Sequence, residues 1–359
     1  MTFDCIVVGS HLRFDGVWQR PHHIATRLAG RAPVLFVEEP FLGSGDADPI
    51  VTRGAVSVLR PTRRDLAAAA IDPATLGAVR RWVAGRRALV WLYTPMMTPL
   101  AAALGWDQSV YDRMDDLASF ARAPRGLRER EELLLENARF VFAGGRSLYE
   151  RCRGYGAKVR LASSGVEYEH FARARAIAPH RVIADLWAGA NGAPKRPVFG
   201  YAGVIDERID FAAIAALAAH PVEVFLAGPV TKIDGALLPR RTNVHFTGQM
   251  PYADLPSLFA GFDAAIMPFA RGAATASISP TKTPEYLAAG LPVVSTPIAD
   301  VVADYADVVR FARDPAEFAE ACIAAVPRDV ERIERGAALA RAAGWDAIVT
   351  RMVAALEGE

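Results

Sequence analysis

Short, uninterrupted apolar runs constrain this chain more than any other feature. Each is closed by turn residues, and most are followed by a helical pattern. The first half holds "FDCIVVGS", "VLFVEEP", "ALVWLYT", "SVYDRMD", "FVFAGG" and "VRLASSG". The second holds "PVFGYAG", "EVFLAGP", "NVHFTGQ", "AAIMPF", "PVVSTP" and "VVRFA". A strand with one wet face alternates apolar and polar residues. A continuous run implies cover on both faces, as in parallel sheets flanked by crossover helices. Six such strands, twice over, predict an α/β chain of two doubly wound parallel-sheet domains. The length of 359 residues agrees, since single cores rarely grow beyond about 250–300 residues.

The expected boundaries are a first domain over 1–170, a linker over 171–196, a second domain over 197–340 and a C-terminal helix over 341–359. The linker assignment rests on "FARARAIAPHRVIADLWAGANGAPKRP", rich in Ala, Arg, Gly and Pro and ending in a turn-prone "NGAPKRP". The last helix is expected to pack back on the first domain. A net charge of +1 gives no general pull toward nucleic acid. Cys5, Cys152 and Cys322 lie far apart, which suggests a reducing compartment and neither a disulfide framework nor a zinc site. The N-terminus runs straight into a strand, and no apolar run reaches the ~18–20 residues of a membrane span. The expected location is the cytoplasm. A slightly basic first half and the Arg-rich stretch Ala121–Arg130 are compatible with its membrane face, although a solvated surface explains both more simply.

Ligands of open α/β sheets bind outside the carboxyl ends of the strands, so the loops just after each strand carry the information. "GSHLRF" after the first strand is not GxGxxG, and no GxxxxGK[ST], HExxH or paired CxxC occurs. What does occur is "SPTKTPEYLAAGLPVVSTP", Ser279 to Pro297. Thr283 can cap a helix with Pro284 in its first position, and Gly290 and Pro292 end it; a start at Ser279–Pro280 serves nearly as well. Lys282 there suits a phosphate. The Glu285 carboxylate suits the vicinal diol of a ribose. Together they describe a nucleotide site; the bland alternative is that both merely decorate a helix start.

The same stretch resembles the donor-site signature of GT-B glycosyltransferases of the retaining family-four type. "PVFGYAGVIDERID", "NVHFTGQMPYADLPSLFAGFDAAIMPF" and "SSGVEYEHF" fall in that family's order. "DGVWQRPHHIATRLA" and "VYDRMDD" resemble a subgroup that makes bacterial surface polysaccharides. The resemblance implies two Rossmann-like domains facing a central cleft. It also implies a UDP- or GDP-sugar donor, a glycan or lipid-linked saccharide acceptor, and retention at the transferred carbon, with neither metal nor cofactor. Carried over, Glu285 holds the ribose, Lys282 and the helix start the diphosphate, and Arg208 the phosphates. Gly203, Ser279 and Thr281 line the donor, and Gln249, beside Met250, reads the base. The family often has a further glutamate eight residues before the ribose one. Here that position is Ser277, so contacts to the hexose fall to backbone and hydroxyls around Ser277–Thr281.

The first domain is expected to take the acceptor. His11, Asp15, Trp18 and Arg20 after the first strand, and Asp116 after "VYDRM", are the acceptor-binding candidates. His22 and Asp115 join Arg208 and Lys282 as the catalytic candidates. Structural alternatives stand beside several of these: Trp18 filling a loop core, His22 bracing its helix, Arg208 paired with Asp206 or Glu207, and the aspartates capping a helix. The competing function is a non-catalytic GT-B scaffold that binds nucleotide or glycan as a regulatory or assembly subunit. A same-fold epimerase or phosphorylase is weaker still.

Overall fold

A computed structural model describes residues 3–65, 71–120, 123–189 and 195–358. The chain divides into one unit of Met1–Ser164 with Trp345–Glu359 and a second of Gly165–Gly344. The strands of the first are β1 (Cys5–Ser10), β2 (Val34–Glu38), β3 (Phe41–Leu42), β4 (Ile50–Arg53), β5 (Val56–Leu59), β6 (Thr62–Arg63), β7 (Ala88–Leu92), β8 (Ser109–Arg113), β9 (Phe140–Ala143) and β10 (Val159–Leu161). Its main sheet runs β10-β9-β8-β7-β1-β2-β5-β4, parallel except for the β4–β5 pair, while β3 and β6 form a two-stranded ladder.

The six strands expected here are all present. The edge hairpin β4–β5 was not anticipated, because Ile50–Arg53 alternates exposed and half-buried residues and lacks the continuous apolarity of a covered strand. Within β1, β2 and β7 the uninterrupted runs sort by alternate residue onto two faces. Cys5, Val7, Leu35, Val37, Val90 and Leu92 enter one core, and Ile6, Val8, Val34, Phe36, Leu89 and Trp91 the other. That is the pleat of strands covered on both sides. The second face is covered by the helix Arg20–Leu28 and by the C-terminal helix Trp345–Glu357. The latter contributes Trp345, Ile348, Val349, Met352, Val353 and Leu356, a stripe at helical spacing.

The second unit carries β11 (Val198–Ala202), β12 (Glu223–Ala227), β13 (Val244–Gly248), β14 (Ala264–Met267), β15 (Val293–Ser295) and β16 (Val309–Phe311). All are parallel in the order β13-β12-β11-β14-β15-β16. Numbered within the unit this is 3-2-1-4-5-6, the Rossmann order, with its switch point between β11 and β14. The close pack of the sheet requires glycine at 200, where a Cβ would stand 2.0 Å from the Phe262 ring.

The stretch read as a linker is helical over Tyr168–Ala172 and Arg181–Ala188, with Phe171 and Ile183 fully buried in the second core. Residues 191–194 of its turn lie outside the described residues, as do 121 and 122 of the Arg-rich stretch. The tail forms two helices. Val330–Ala342 packs on the helix Lys282–Ala288, Gly336 letting Leu287 approach so closely that a Cβ would come within 2.7 Å. Trp345–Glu357 belongs to the first unit.

Candidate functional site

At the switch point of the second unit, three post-strand loops are tied together by hydrogen bonds. The Ala270 amide donates to Arg208 O (2.7 Å) and the Asp210 amide to Pro268 O (2.7 Å), joining the loops after β11 and β14. The Phe269 amide donates to Thr296 Oγ1 (3.1 Å), bringing in the loop after β15. Gly203 closes the end of β11. Its oxygen lies where a Cβ on Gly228 would come within 1.8 Å, and Gly228 holds φ at +154°, so the loops after β11 and β12 meet only as glycines.

The helix that heads the donor-like stretch begins at Lys282, with Thr281 at its N-cap. Thr283, expected as a cap, is instead buried and donates toward Met267 Sδ (3.4 Å), and the helix starts between the two expected positions, one residue before Thr283 and after Ser279–Pro280. Lys282 Nζ and Glu285 Oε2 form an ion pair of 2.8 Å, with side chains 16% and 5% exposed. A nearly buried carboxylate with one bonded oxygen still has lone pairs to offer. Ser277, which stands where the family often has an acid, is buried, and its Oγ meets no partner among the described residues. Ser279, Thr281 and Lys282 are half-buried beside it. Arg208 is engaged by Asp206 in a bidentate pair (Nε to Oδ1 2.9 Å, Nη2 to Oδ2 2.8 Å). The phenol of Tyr201, buried on β11, feels Arg208, Asp206 and Glu285 together; burial above all pushes its pKa up. Tyr286 fixes the helix to the sheet by accepting from the Ala202 amide (2.8 Å). Gln249 is exposed and Met250 packs against the core.

The first unit gives its motif residues structural parts, of which those of Trp18 and His22 were alternatives in the sequence and that of Arg20 was not. Arg20 is a core cation: its Nε and Nη2 reach Asp112 Oδ1 at 3.0 and 2.8 Å, Trp91 Nε1 donates to Asp112 Oδ2 (3.1 Å), and the pair is 1% and 0% exposed. Such burial keeps Arg20 from an acceptor. His22 is fully buried; the Gln19 amide donates to its Nδ1 (3.0 Å), which leaves Nε2–H to donate to Arg13 O (3.0 Å). Burial lowers its pKa, so a neutral ring with both nitrogens engaged braces the loop and has no nitrogen to offer a substrate. Trp18 stacks on His22 (4.9 Å) and donates to His23 Nδ1 (3.2 Å), filling the loop core. Asp15 is bound by Arg53 and Arg60, and the hydrogen bond from Arg53, foremost, brings its pKa down to about 2. Asp116 pairs with Arg151 (2.7 Å) beside an inner Arg113–Glu131 pair (2.8 Å). His11 and Asp115 are half-buried just past β1 and β8.

Residues 196–327 match the family model described as "Glycosyl transferases group 1". Over these residues the chain is similar to that family. A Bacillus subtilis (strain 168) protein, TuaH, named as a teichuronic acid biosynthesis glycosyltransferase, is 30% identical over 232 residues. The match takes in 59% of this chain and 56% of that one, so the chain spans just over half the length of that relative. Among solved structures, sucrose-phosphate synthase from Thermosynechococcus elongatus superposes with a TM-score of 0.74 at 16% identity, over 99% of this chain and 98% of the other. Anabaena Alr3699/HepE in complex with UDP-glucose gives 0.73 at 15% identity, over 99% and 100%. These likenesses establish the GT-B fold with two Rossmann-like domains. Among the described residues no helix is long and apolar enough to cross a membrane. Among them, too, no group of three or more His, Cys, Asp or Glu is placed to hold a metal ion.

Proposed function

We propose that this chain transfers a sugar from a UDP- or GDP-sugar to a glycan or lipid-linked acceptor in surface-polysaccharide assembly, with retention and without a metal or cofactor. The observation that carries this reading is the buried Lys282–Glu285 pair at the switch point of a group 1 domain. Glu285 takes the ribose diol, which frees Lys282 to turn its ammonium toward the diphosphate. Ser277, Ser279 and Thr281 offer hydroxyls to the hexose, Gly203 lets the donor approach the strand end, and Gln249 reaches the base. Arg208, held by Asp206, adds positive charge at the same edge. As the glycosidic bond breaks, negative charge grows on the leaving diphosphate, and fixed donors and cations stabilise it most where water is scarce. Each hydrogen bond to that charge is worth roughly 1.5–3 kcal/mol. In a retaining transfer the acceptor hydroxyl attacks the face the diphosphate leaves, and a donor phosphate oxygen takes its proton. His11 and Asp115 hold acceptor hydroxyls. A surface-glycan acceptor fits the name of the Bacillus subtilis relative, and the reading places the reaction at the cytoplasmic face of the membrane.

The test is thermal stabilisation of wild type and Glu285→Ala by UDP, GDP, ADP, CMP and dTDP and their sugar conjugates. A ligand at about 100 times its Kd adds about 2.7 kcal/mol. Selective stabilisation by one nucleotide, weakened tenfold or more in the variant, is expected; unchanged donor binding in Glu285→Ala would remove the ribose assignment. One observation favours a second reading, a non-catalytic nucleotide- or glycan-binding subunit: Ser277 in place of the acid. Nucleotide binding with no turnover on any donor would select it.

A further inference from the structure

The carboxyl end of β1 is the switch point of the first unit, since the chain builds β2 and β5 on one side of it and β7 to β10 on the other. One side chain spans that point. Glu39, the first residue past β2, is anchored by its amide to Ser10 O (3.2 Å) at the end of β1. Its carboxyl crosses β1 to the far neighbour, where Thr94, two residues past β7, donates to Oε1 (2.9 Å). Thr94 Oγ1 also accepts from the Met96 amide (3.2 Å) at the start of a 3-10 turn, which orients the hydroxyl for that donation. Oε1 is therefore an acceptor, and Oε2 has no partner among the described residues. The adjacent Glu38, by contrast, is fully used: it accepts from the Phe14 amide (2.8 Å) and pairs with Arg13 (3.3 Å). Arg13 itself donates to the Glu39 carbonyl and acts on the carboxyl through its charge, without a hydrogen bond to it.

A half-buried carboxyl group with no ion-pair partner is costly to keep, and burial raises its pKa above the ordinary carboxylate range. Ion pairing elsewhere in this unit is generous: Asp15, Asp112, Asp116, Glu38 and Glu131 all face arginines. Glu39 is also positioned without serving a core or a cap, in the one place of a doubly wound sheet where ligands dock.

We propose that Glu39 is an acceptor-recognition residue: its Oε2 accepts a hydrogen bond from a ring hydroxyl of the saccharide acceptor while Thr94 holds Oε1 in place. This rests on the glycosyltransferase reading and names a contact on its acceptor side. The experiment uses the full chain and two arms read independently. In the first, a panel of methyl glycosides of glucose, galactose, mannose, N-acetylglucosamine and glucuronic acid is titrated into wild type, Glu39→Ala and Glu39→Gln, with binding read by saturation-transfer NMR. In the second, stabilisation by UDP is measured on the same proteins. The expected result is binding of at least one glycoside by wild type, weakened tenfold or more in Glu39→Ala and less in the isosteric Glu39→Gln, with nucleotide stabilisation equal in all three. Glycoside binding equal in all three proteins, or absent from wild type, overturns the assignment. Failure of the transferase reading shows separately, as absence of stabilisation by any nucleotide in wild type.

Discussion

Arg20 and Asp112 lie side by side with almost no water, so removing one leaves a charge that nothing answers. Arg20→Met should cost about 3–5 kcal/mol, measured by urea unfolding, because a lone buried carboxylate is penalised far more than an intact pair is rewarded. The pair also shows why the sequence offered Arg20 to an acceptor and not to the core. "WQRPHH" and "VYDRMDD" announce chemistry, yet whether a charged side chain turns inward depends on a helix start and a strand whose paired residues lie 92 apart in the chain. Lys282 and Glu285 were legible because their neighbours in sequence are also their neighbours in space. Glu39 was not, since "VLFVEEP" reads simply as a strand ending in solvent, and only the β7-β1-β2 adjacency brings Thr94 to it. Ser277 was legible as a departure, and its hydroxyl, unpartnered among the described residues, as a structural fact only.

The twelve continuous apolar runs correspond to twelve parallel strands because the residues that fill both faces of such a strand are contiguous in the chain. Helix ends were harder to read. The Lys282 helix starts where Thr281 turns, since Thr283 is worth more buried against Met267 than at a cap. Its back is closed by Gly336, so Gly336→Val should push Leu287 and shift Glu285. A raised donor KM with unchanged acceptor KM in steady-state assays is the expected outcome. The C-terminal helix matters differently. Ending the chain after Gly344 would strip six apolar side chains from one face of the first sheet, each worth up to about 1.5–3 kcal/mol. The shortened protein should bind ANS and lose near-UV circular dichroism from the first unit while still responding to nucleotide.

Across the whole molecule, two buried titrations pull stability in opposite directions. His22 is held neutral, its folded pKa lying below the unfolded value near ~6.5, so its contribution is full above that value and is lost as pH falls toward the folded pKa. Glu39 has its pKa raised, so its contribution is full below the unfolded value near ~4.3 and is lost as pH rises through the folded pKa. Denaturation across pH 4 to 8 should therefore show Glu39→Gln gaining on wild type toward neutral pH, and His22→Gln with a shallower decline on the acid side. The first unit is also assembled from two distant pieces of chain, 1–164 and 345–359. On a ribosome adding about 5–20 residues per second, its sheet would emerge and wait on the order of ten seconds or more for the segment that shields Phe36, Trp91 and Phe142. During that interval the nascent polypeptide presents an oily surface, which makes it a natural client for chaperones and places its risk of misassembly in synthesis.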